Sequence, residues 1–78
     1  MNPTRVIVVD DHPLFRRGVA ELLNESQRFD VLDAFGSAEE LLLHLEYLKP
    51  ELLLLDLQMP GADGLSLLER IKAEHEDI

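Results

Sequence analysis

The chain contains no cysteine and no tryptophan, and aromatic residues make up only 5% of it. The lack of cysteine excludes disulfide bonds and metal sites built on thiolates, and it fits a protein of the reducing cytoplasm. Basic residues are also scarce, since 7 Lys and Arg stand against 16 Asp and Glu and the formal net charge is −9. Such a surface repels phosphate backbones, so we expect no direct nucleic-acid binding by this segment.

Long apolar runs are absent as well, and we therefore expect neither a signal peptide nor a membrane span. The apolar run near the N-terminus is short, and Asp10 and Asp11 end it. The apolar share of 46% is ordinary for a globular protein and argues against disorder. A chain of 78 residues has room for one small domain at most, with about 60–65% of its unfolded surface buried on folding.

Hydrophobic patterning predicts three strands that alternate with three helices. We expect strands at about 5–9, 29–35 and 51–55, and helices at about 13–24, 37–48 and 64–75. The first strand is apolar throughout, which is typical of a strand buried on both faces of a parallel sheet. The second contains polar residues and is expected at an edge. The third is a run of leucines, whose shortness and flanking turn residues favour a strand over a helix.

Helix boundaries follow from local signals. Pro13 is well suited to the first position of a helix, and Ser37 with Glu40 forms a capping box that begins the second helix. Pro50 marks the end of that helix. The first helix carries apolar residues at helical spacing, namely Leu14, Phe15, Val19, Leu22 and Leu23. In the third helix, we expect Leu67 or Leu68 and Ile71 to face inward.

The β-α-β-α-β-α order predicts an α/β protein with right-handed crossovers and a parallel sheet. We expect a flavodoxin-like sheet of strand order 2-1-3, in which the ends of the first and third strands border the switch point of the topology. Asp10 and Asp11 follow the first strand and Asp56 follows the third. This order would therefore bring three carboxylates together, although they are far apart along the chain.

Clustered carboxylates repel one another unless a cation lies among them. Mg²⁺ suits such a site, because it prefers oxygen ligands in octahedral geometry and keeps several waters. The backbone carbonyl of Gln58 could complete the ligand set of Asp10, Asp11 and Asp56. Two simpler interpretations compete with this one: Asp10 and Asp11 could cap the first helix, and Asp56 could be an ordinary turn residue after a strand.

Several motifs occur together in the order of a known family: Asp10-Asp11, Asp56, Met59-Pro60-Gly61 and Asp63-Gly64. In this combination they resemble the receiver domain of two-component response regulators, and the resemblance covers essentially the whole chain. The run from Asp10 to Gly18 looks most like the subgroup that carries a LuxR-type helix-turn-helix output domain.

The resemblance implies a regulatory domain rather than an enzyme. Asp56 would accept a phosphoryl group from the phosphohistidine of a sensor histidine kinase or from a small phosphodonor. Asp10, Asp11, Asp56 and the Gln58 carbonyl would hold Mg²⁺. The first helix, around Pro13, Leu14 and Arg17, would form part of the kinase contact. A DNA-binding output domain would follow in the intact protein.

The sequence departs from the family pattern in one respect. A receiver continues with a fourth strand ending in Ser or Thr, a fifth strand ending in Lys, and two more helices, none of which has a counterpart here. Lys49 and Lys72 do not replace that Lys by motif. The alternative function is accordingly a non-switching module that binds a partner or self-associates, through the bare edge of the third strand or by exchange of elements.

Other functional classes are less well supported. A hydrolase of the haloacid-dehalogenase kind would carry a second Asp two residues after Asp56, where Gln58 stands. Nucleotide binding would call for a Gly-rich first loop. The three histidines, His12, His44 and His75, show no metal-ligand spacing, so we expect surface or helix-end positions for them.

Overall fold

The computed structural model describes residues 2–56, 59 and 64–78. Strands and helices alternate, as the sequence predicted, in the order β1 (Thr4–Val9), α1 (Pro13–Glu25), β2 (Phe29–Phe35), α2 (Ala38–Leu48), β3 (Leu52–Leu55) and α3 (Gly64–Glu74). The three strands form one parallel sheet in the order β2-β1-β3. The predicted flavodoxin-like strand order is therefore confirmed.

The central strand β1 is the most buried element. Its last four residues, Val6 to Val9, are at most 3% exposed, because β1 pairs with a neighbour on each side and is covered on both faces. The pairing with β2 shifts register between Val6 and Ile7. The uniform apolar character of this strand is what two-sided burial in a parallel sheet requires.

The main core lies between one face of the sheet and the helices α2 and α3. It comprises Ile7, Val9, Phe35, Leu41, Leu45, Met59, Leu67 and Ile71. Of the inward positions expected in α3, Leu67 and Ile71 are buried, whereas Leu68 is 38% exposed. Because Leu53 and Leu55 pack against this core and side chains alternate along a strand, Leu52 and Leu54 point to the opposite face.

That opposite face carries α1 and is only partly covered. In α1, all of whose residues are described, none is buried, and Leu14, Phe15 and Leu22 are strongly exposed. The apolar spacing in α1 correctly predicted a helix, but the described residues do not cover the apolar side of this helix. Leu52 and Leu54 are also more than a third exposed, so an apolar surface extends from α1 to β3.

Both ends of α2 have defined caps. The Ser37 hydroxyl accepts a hydrogen bond from the Glu40 backbone N–H at 3.2 Å, as the capping box predicted. Lys49 ends the helix in the left-handed conformation, with φ of 49°, and Pro50 follows. No helix in the described part of the chain is long and apolar enough to cross a membrane.

Candidate functional site

Backbone hydrogen bonds fix the residues that follow β1 and β3. The Asp10 N–H donates to the Phe35 carbonyl at 3.0 Å, and the Asp56 N–H donates to the Val9 carbonyl at 2.9 Å. Both bonds continue the pairing of the sheet one residue beyond its strands. The two aspartates are therefore anchored to rigid backbone at the same edge of the sheet.

Four side chains converge at this edge. One ligand atom from each of Asp10, Asp11, His12 and Asp56 can be chosen so that all four atoms lie within 4.8 Å of one another. The group lines an open cleft of about 690 Å³, and the other described residues of its wall are Pro13, Leu14 and Phe15 at the start of α1. The structure thus brings together the three carboxylates that the sequence analysis singled out.

The predicted fourth oxygen ligand is the backbone carbonyl of Gln58, and Gln58 lies outside the described residues. The same holds for Pro60, Gly61 and Asp63 of the loop motif. Met59 is described, and its side chain is buried in the main core.

The three carboxylates differ in their surroundings. Asp10 is the most buried, with 8% of the residue exposed, while the side chains of Asp11 and Asp56 are 26% and 22% exposed. The Oδ1 atom of Asp11 is buried and has no hydrogen-bond partner among the described residues. A buried carboxylate oxygen without a hydrogen bond is costly. A bound cation would satisfy it.

His12 occupies a position that sequence reasoning missed. It is the N-cap residue of α1, a helix-end position as expected, but its ring also reaches the carboxylates. Its Nδ1 atom lies 2.8 Å from Asp10 Oδ1, 3.0 Å from Asp11 Oδ1 and 4.0 Å from Asp56 Oδ2. The spacing between the histidines gave no sign of these contacts. A usable signal was that His12 directly follows Asp11 in the sequence.

The contacts between Asp10 and His12 shift the pKa of both groups. The His12 backbone N–H, which donates to Asp10 Oδ1 at 2.8 Å, is the largest cause that lowers the pKa of the Asp10 carboxyl. The hydrogen bond between the His12 ring and Asp10 is the main cause that raises the pKa of His12, and the charge of Asp11 adds to it. Asp10 is thereby held as a carboxylate, the form that binds cations.

A second feature absent from the sequence analysis is the anchor formed by Arg16. Its Nη1 atom donates to the backbone carbonyl of Asp10 at 2.7 Å. The guanidinium crosses Gly36, where an added Cβ would lie 2.7 Å from Nη1. Gly36 therefore leaves the space that Arg16 uses, and the contact ties the end of β1 to α1 and to the end of β2.

The two lysines considered in the sequence analysis lie elsewhere. Lys49 is the C-cap of α2, before the amino end of β3, whereas Asp56 follows its carboxyl end. Lys72 lies in the last turn of α3, and its Nζ donates to the Ile78 carbonyl at 3.0 Å. These positions agree with the view that neither lysine replaces the family's lysine.

The donor set fits a hard divalent cation. It offers carboxylate oxygens from Asp10, Asp11 and Asp56 at the mouth of an open cleft, and the cleft leaves room for water or for oxygens of a substrate.

A family model described as the response regulator receiver domain matches residues 6–78. The chain belongs to the response regulator receiver family.

Related proteins of known function include response regulators. It is 40% identical over 74 residues to response regulator GacA of Pseudomonas protegens, covering 95% of this chain and 35% of that protein. It is 36% identical over 70 residues to the nitrate/nitrite response regulator NarL of Escherichia coli, covering 90% and 32%. Both matches are consistent with the LuxR-type subgroup. The receiver spans about a third of the length of these relatives.

Solved structures agree with the fold. The isolated receiver domain of RcsB from Salmonella enterica serovar Typhimurium, determined with the phosphomimetic BeF₃⁻, superposes with a TM-score of 0.89 at 32% identity. That match covers 97% of this receiver and 57% of the RcsB chain. The receiver domain of NarL from Mycobacterium tuberculosis gives 0.85 at 34% identity, with 95% and 60% covered.

Proposed function

We propose that this receiver takes a phosphoryl group from a sensor histidine kinase onto Asp56, with Mg²⁺ held by Asp10, Asp11, Asp56 and the Gln58 carbonyl. The observation that supports this most strongly is the convergence of three carboxylates from the ends of β1 and β3 in one open cleft. In the whole protein, the phosphorylated receiver would regulate a DNA-binding output domain in the cytoplasm.

The transfer is a substitution at phosphorus. A carboxylate oxygen of Asp56 forms a bond to the phosphorus atom, and the bond from phosphorus to the kinase imidazole breaks. The leaving nitrogen keeps the electron pair and takes up a proton, and Asp56 becomes an acyl phosphate. When bound, Mg²⁺ would offset negative charge on the transferred group.

The residues of the chain contribute mainly by position and charge. Asp10 and Asp11 supply the negative charge that binds the cation, and backbone hydrogen bonds hold Asp10 and Asp56 at the ends of their strands. The contact of Arg16 with the Asp10 carbonyl prevents that strand end from moving away from α1. Catalysis in such a site comes from positioning and electrostatics.

The first turn of α1 is our candidate for part of the kinase contact. Pro13 and Leu14 line the cleft itself, and Leu14 is 87% exposed. Arg17 lies on the next turn with its side chain largely in solvent, where it pairs with Glu21 at 3.1 Å. Among the described residues, this apolar rim borders the opening of the cleft that contains Asp56, which supports a partner contact here.

The proposal is tested by incubating the chain with an acyl phosphate donor and measuring its intact mass. With Mg²⁺ present, the chain is expected to gain the mass of one phosphoryl group. With the cation removed by a chelator, the gain is expected to disappear. A chain that gains no mass at any Mg²⁺ concentration would contradict the proposed function for these residues.

Self-association through β3 is a second candidate function, supported by the contrast between the two edges of the sheet. The edge strand β2 carries exposed Asp30 and Asp33, charges that discourage pairing with another chain. The strand β3 is four leucines, and within the described residues it pairs with β1 alone. Two of these leucines are more than a third exposed. Among the described residues, β3 therefore has both an unpaired outer edge and an exposed apolar surface.

Replacing Leu54 with Lys is expected to make the chain monomeric at concentrations where the unmodified chain forms dimers or larger species. Leu54 points to the partly covered face that carries α1, so the added charge would oppose burial of that face against a second copy, and charged side chains on an edge strand discourage pairing. Light scattering on a size-exclusion column measures the result, and Leu43→Lys on the exposed side of α2 (71% exposed) is the matched control. If the unmodified chain is a monomer throughout, self-association is refuted.

A further inference from the structure

The geometry points to Arg16 as a positioning residue of the cation site, which acts through the backbone carbonyl of Asp10 along a path that Gly36 leaves open. This inference rests on the proposed function in one respect, namely that Asp10, Asp11 and Asp56 hold a divalent cation. It adds that the affinity of the site for Mg²⁺ depends on a contact made by residues that do not themselves bind the ion.

Asp10 is held at both of its backbone polar groups. Its N–H donates to the Phe35 carbonyl at 3.0 Å, and its carbonyl accepts a hydrogen bond from Arg16 Nη1 at 2.7 Å. Only 8% of Asp10 is exposed, so water has limited access to it, and the carbonyl of such a residue needs a protein partner. Arg16 supplies that partner and thereby fixes the orientation of the peptide group that follows Asp10.

The same peptide group leads directly into Asp11. Because a peptide group is planar, the direction of the Asp10 carbonyl also determines where the Cα atom of Asp11 lies. From this Cα the Asp11 side chain reaches the cleft, and its Oδ1 atom is the buried carboxylate oxygen without a hydrogen-bond partner among the described residues. Arg16 therefore holds Asp11 in place in the metal-free chain, so that the cation does not have to order it.

Gly36 makes the contact of Arg16 possible. A Cβ atom at position 36 would lie 2.7 Å from Nη1, the nitrogen that donates to Asp10, and 3.5 Å from Cζ of the same guanidinium. The shorter distance is below van der Waals contact, so a side chain at this position would displace the nitrogen and disturb its hydrogen bond. The backbone of Gly36 does not lie in the left-handed region. Replacement by Ala therefore crowds Arg16 without straining the backbone.

The positive charge of Arg16 opposes the role inferred for its contact, which gives the test its sign. A guanidinium near the cleft repels a cation, so the removal of Arg16 would strengthen Mg²⁺ binding if charge alone mattered. Loss of the contact must instead weaken Mg²⁺ binding, because the cation then orders the backbone as it binds. Gly36→Ala separates the two effects, since it disturbs the contact and leaves the net charge unchanged.

The experiment is a calorimetric titration of the 78-residue chain with Mg²⁺, in which Gly36→Ala, Arg16→Met and the double variant are compared with the unmodified chain. We expect binding about three- to tenfold weaker in Gly36→Ala, and weaker binding in Arg16→Met despite the loss of a repelling charge. The double variant should bind like Arg16→Met, because both changes remove the same contact.

The matched control is Arg28→Met. Arg28 is exposed and lies just before the amino end of β2, at the opposite end of the parallel sheet from the cleft. This variant removes the same charge as Arg16→Met and should bind Mg²⁺ within about twofold of the unmodified chain, because exposed charges at such a distance are largely screened by salt.

A second measurement does not involve the cation. Relaxation of ¹⁵N nuclei in the metal-free chain reports backbone order, and the order parameters of the Asp11 and His12 amides are expected to fall in Gly36→Ala and in Arg16→Met. A contact that only stabilises the fold would lower the free energy of unfolding without changing these order parameters or the Mg²⁺ affinity. If Arg16→Met does not fold, Gly36→Ala decides the result alone.

The possible failures are distinguishable. Unchanged or tighter Mg²⁺ binding in Gly36→Ala, or tighter binding in a folded Arg16→Met, would overturn the role of Arg16 and leave the carboxylate site in place. Losses that add up in the double variant would also overturn it, because the two residues would then act independently. An unmodified chain that does not bind Mg²⁺ would refute the cation site of the proposed function together with the inference.

Discussion

Asp56→Asn is expected to reduce phosphoryl acceptance from an acyl phosphate donor to background. The amide that replaces the carboxylate is a poor nucleophile, and it also removes one of the negative charges that hold the cation. Because the backbone N–H of residue 56 makes the bond to the Val9 carbonyl, the substitution leaves the pairing of the sheet intact. Intact mass spectrometry after a fixed incubation with Mg²⁺ gives the phosphorylated fraction.

The matched control for this variant is Asp30→Asn. Asp30 is an exposed aspartate near the amino end of β2, at the opposite end of a parallel sheet from the cleft. This variant changes net charge by the same amount and should be phosphorylated like the unmodified chain. Phosphorylation of Asp56→Asn at the unmodified rate would mean that another side chain is the acceptor, and the assignment of Asp56 would be wrong.

Asp11→Asn is expected to weaken Mg²⁺ binding roughly ten- to hundredfold, which corresponds to about 1.4–2.7 kcal/mol of binding free energy. The substitution removes a full charge next to the cation, where the surroundings are only partly screened by water. In the metal-free chain the same change relieves repulsion among neighbouring carboxylates but also removes the attraction between Asp11 and the His12 ring, which lies 3.0 Å away. The free energy of unfolding without metal should therefore change little.

Two measurements separate these effects. Calorimetric titration with Mg²⁺ gives the affinity, and urea unfolding in the presence of a chelator gives the stability of the metal-free chain. Asp30→Asn again serves as the control and should bind Mg²⁺ as the unmodified chain does. An Asp11→Asn variant with unchanged Mg²⁺ affinity would show that Asp11 is not a ligand and that its orphaned oxygen has another explanation.

Much of the fold could be predicted from the sequence because its strongest signals are local. The apolar run Val6–Val9 predicted a strand buried on both faces, and Ser37 marked the start of α2 by a cap that the structure contains. The β3 leucines were ambiguous by propensity, and the neighbouring Pro50 resolved them. The strand order 2-1-3 was assumed from the usual topology of doubly wound sheets rather than derived from any residue, and the structure confirms it.

The exposure of the α1 face could not be derived in this way. Periodic apolar residues in α1 indicate a helix with one apolar side, but periodicity does not reveal how much of that side is covered. Phe15 and Leu22 remain more than 60% exposed, because the described residues offer no further element that packs over α1 and β3 on this face.

For the site as well, the sequence predicted one part and missed another. The three carboxylates were found because each follows a strand, and the topology of the sheet determines where strands end. His12 and Arg16 were missed because their roles depend on side-chain directions at the start of α1, and on the lack of a side chain at Gly36 that gives Arg16 its path. Residue spacing carries no information about such three-dimensional contacts.

The central claim is that the ends of β1 and β3 form one cation site around Asp56. A ¹H–¹⁵N correlation spectrum of the chain, recorded during titration with Mg²⁺, tests it most directly. The account predicts a dispersed spectrum in which the amides of residues 10–12 and 56 shift together and saturate with a single dissociation constant. A dispersed spectrum in which these amides do not respond, or a collapsed spectrum indifferent to Mg²⁺, would contradict it.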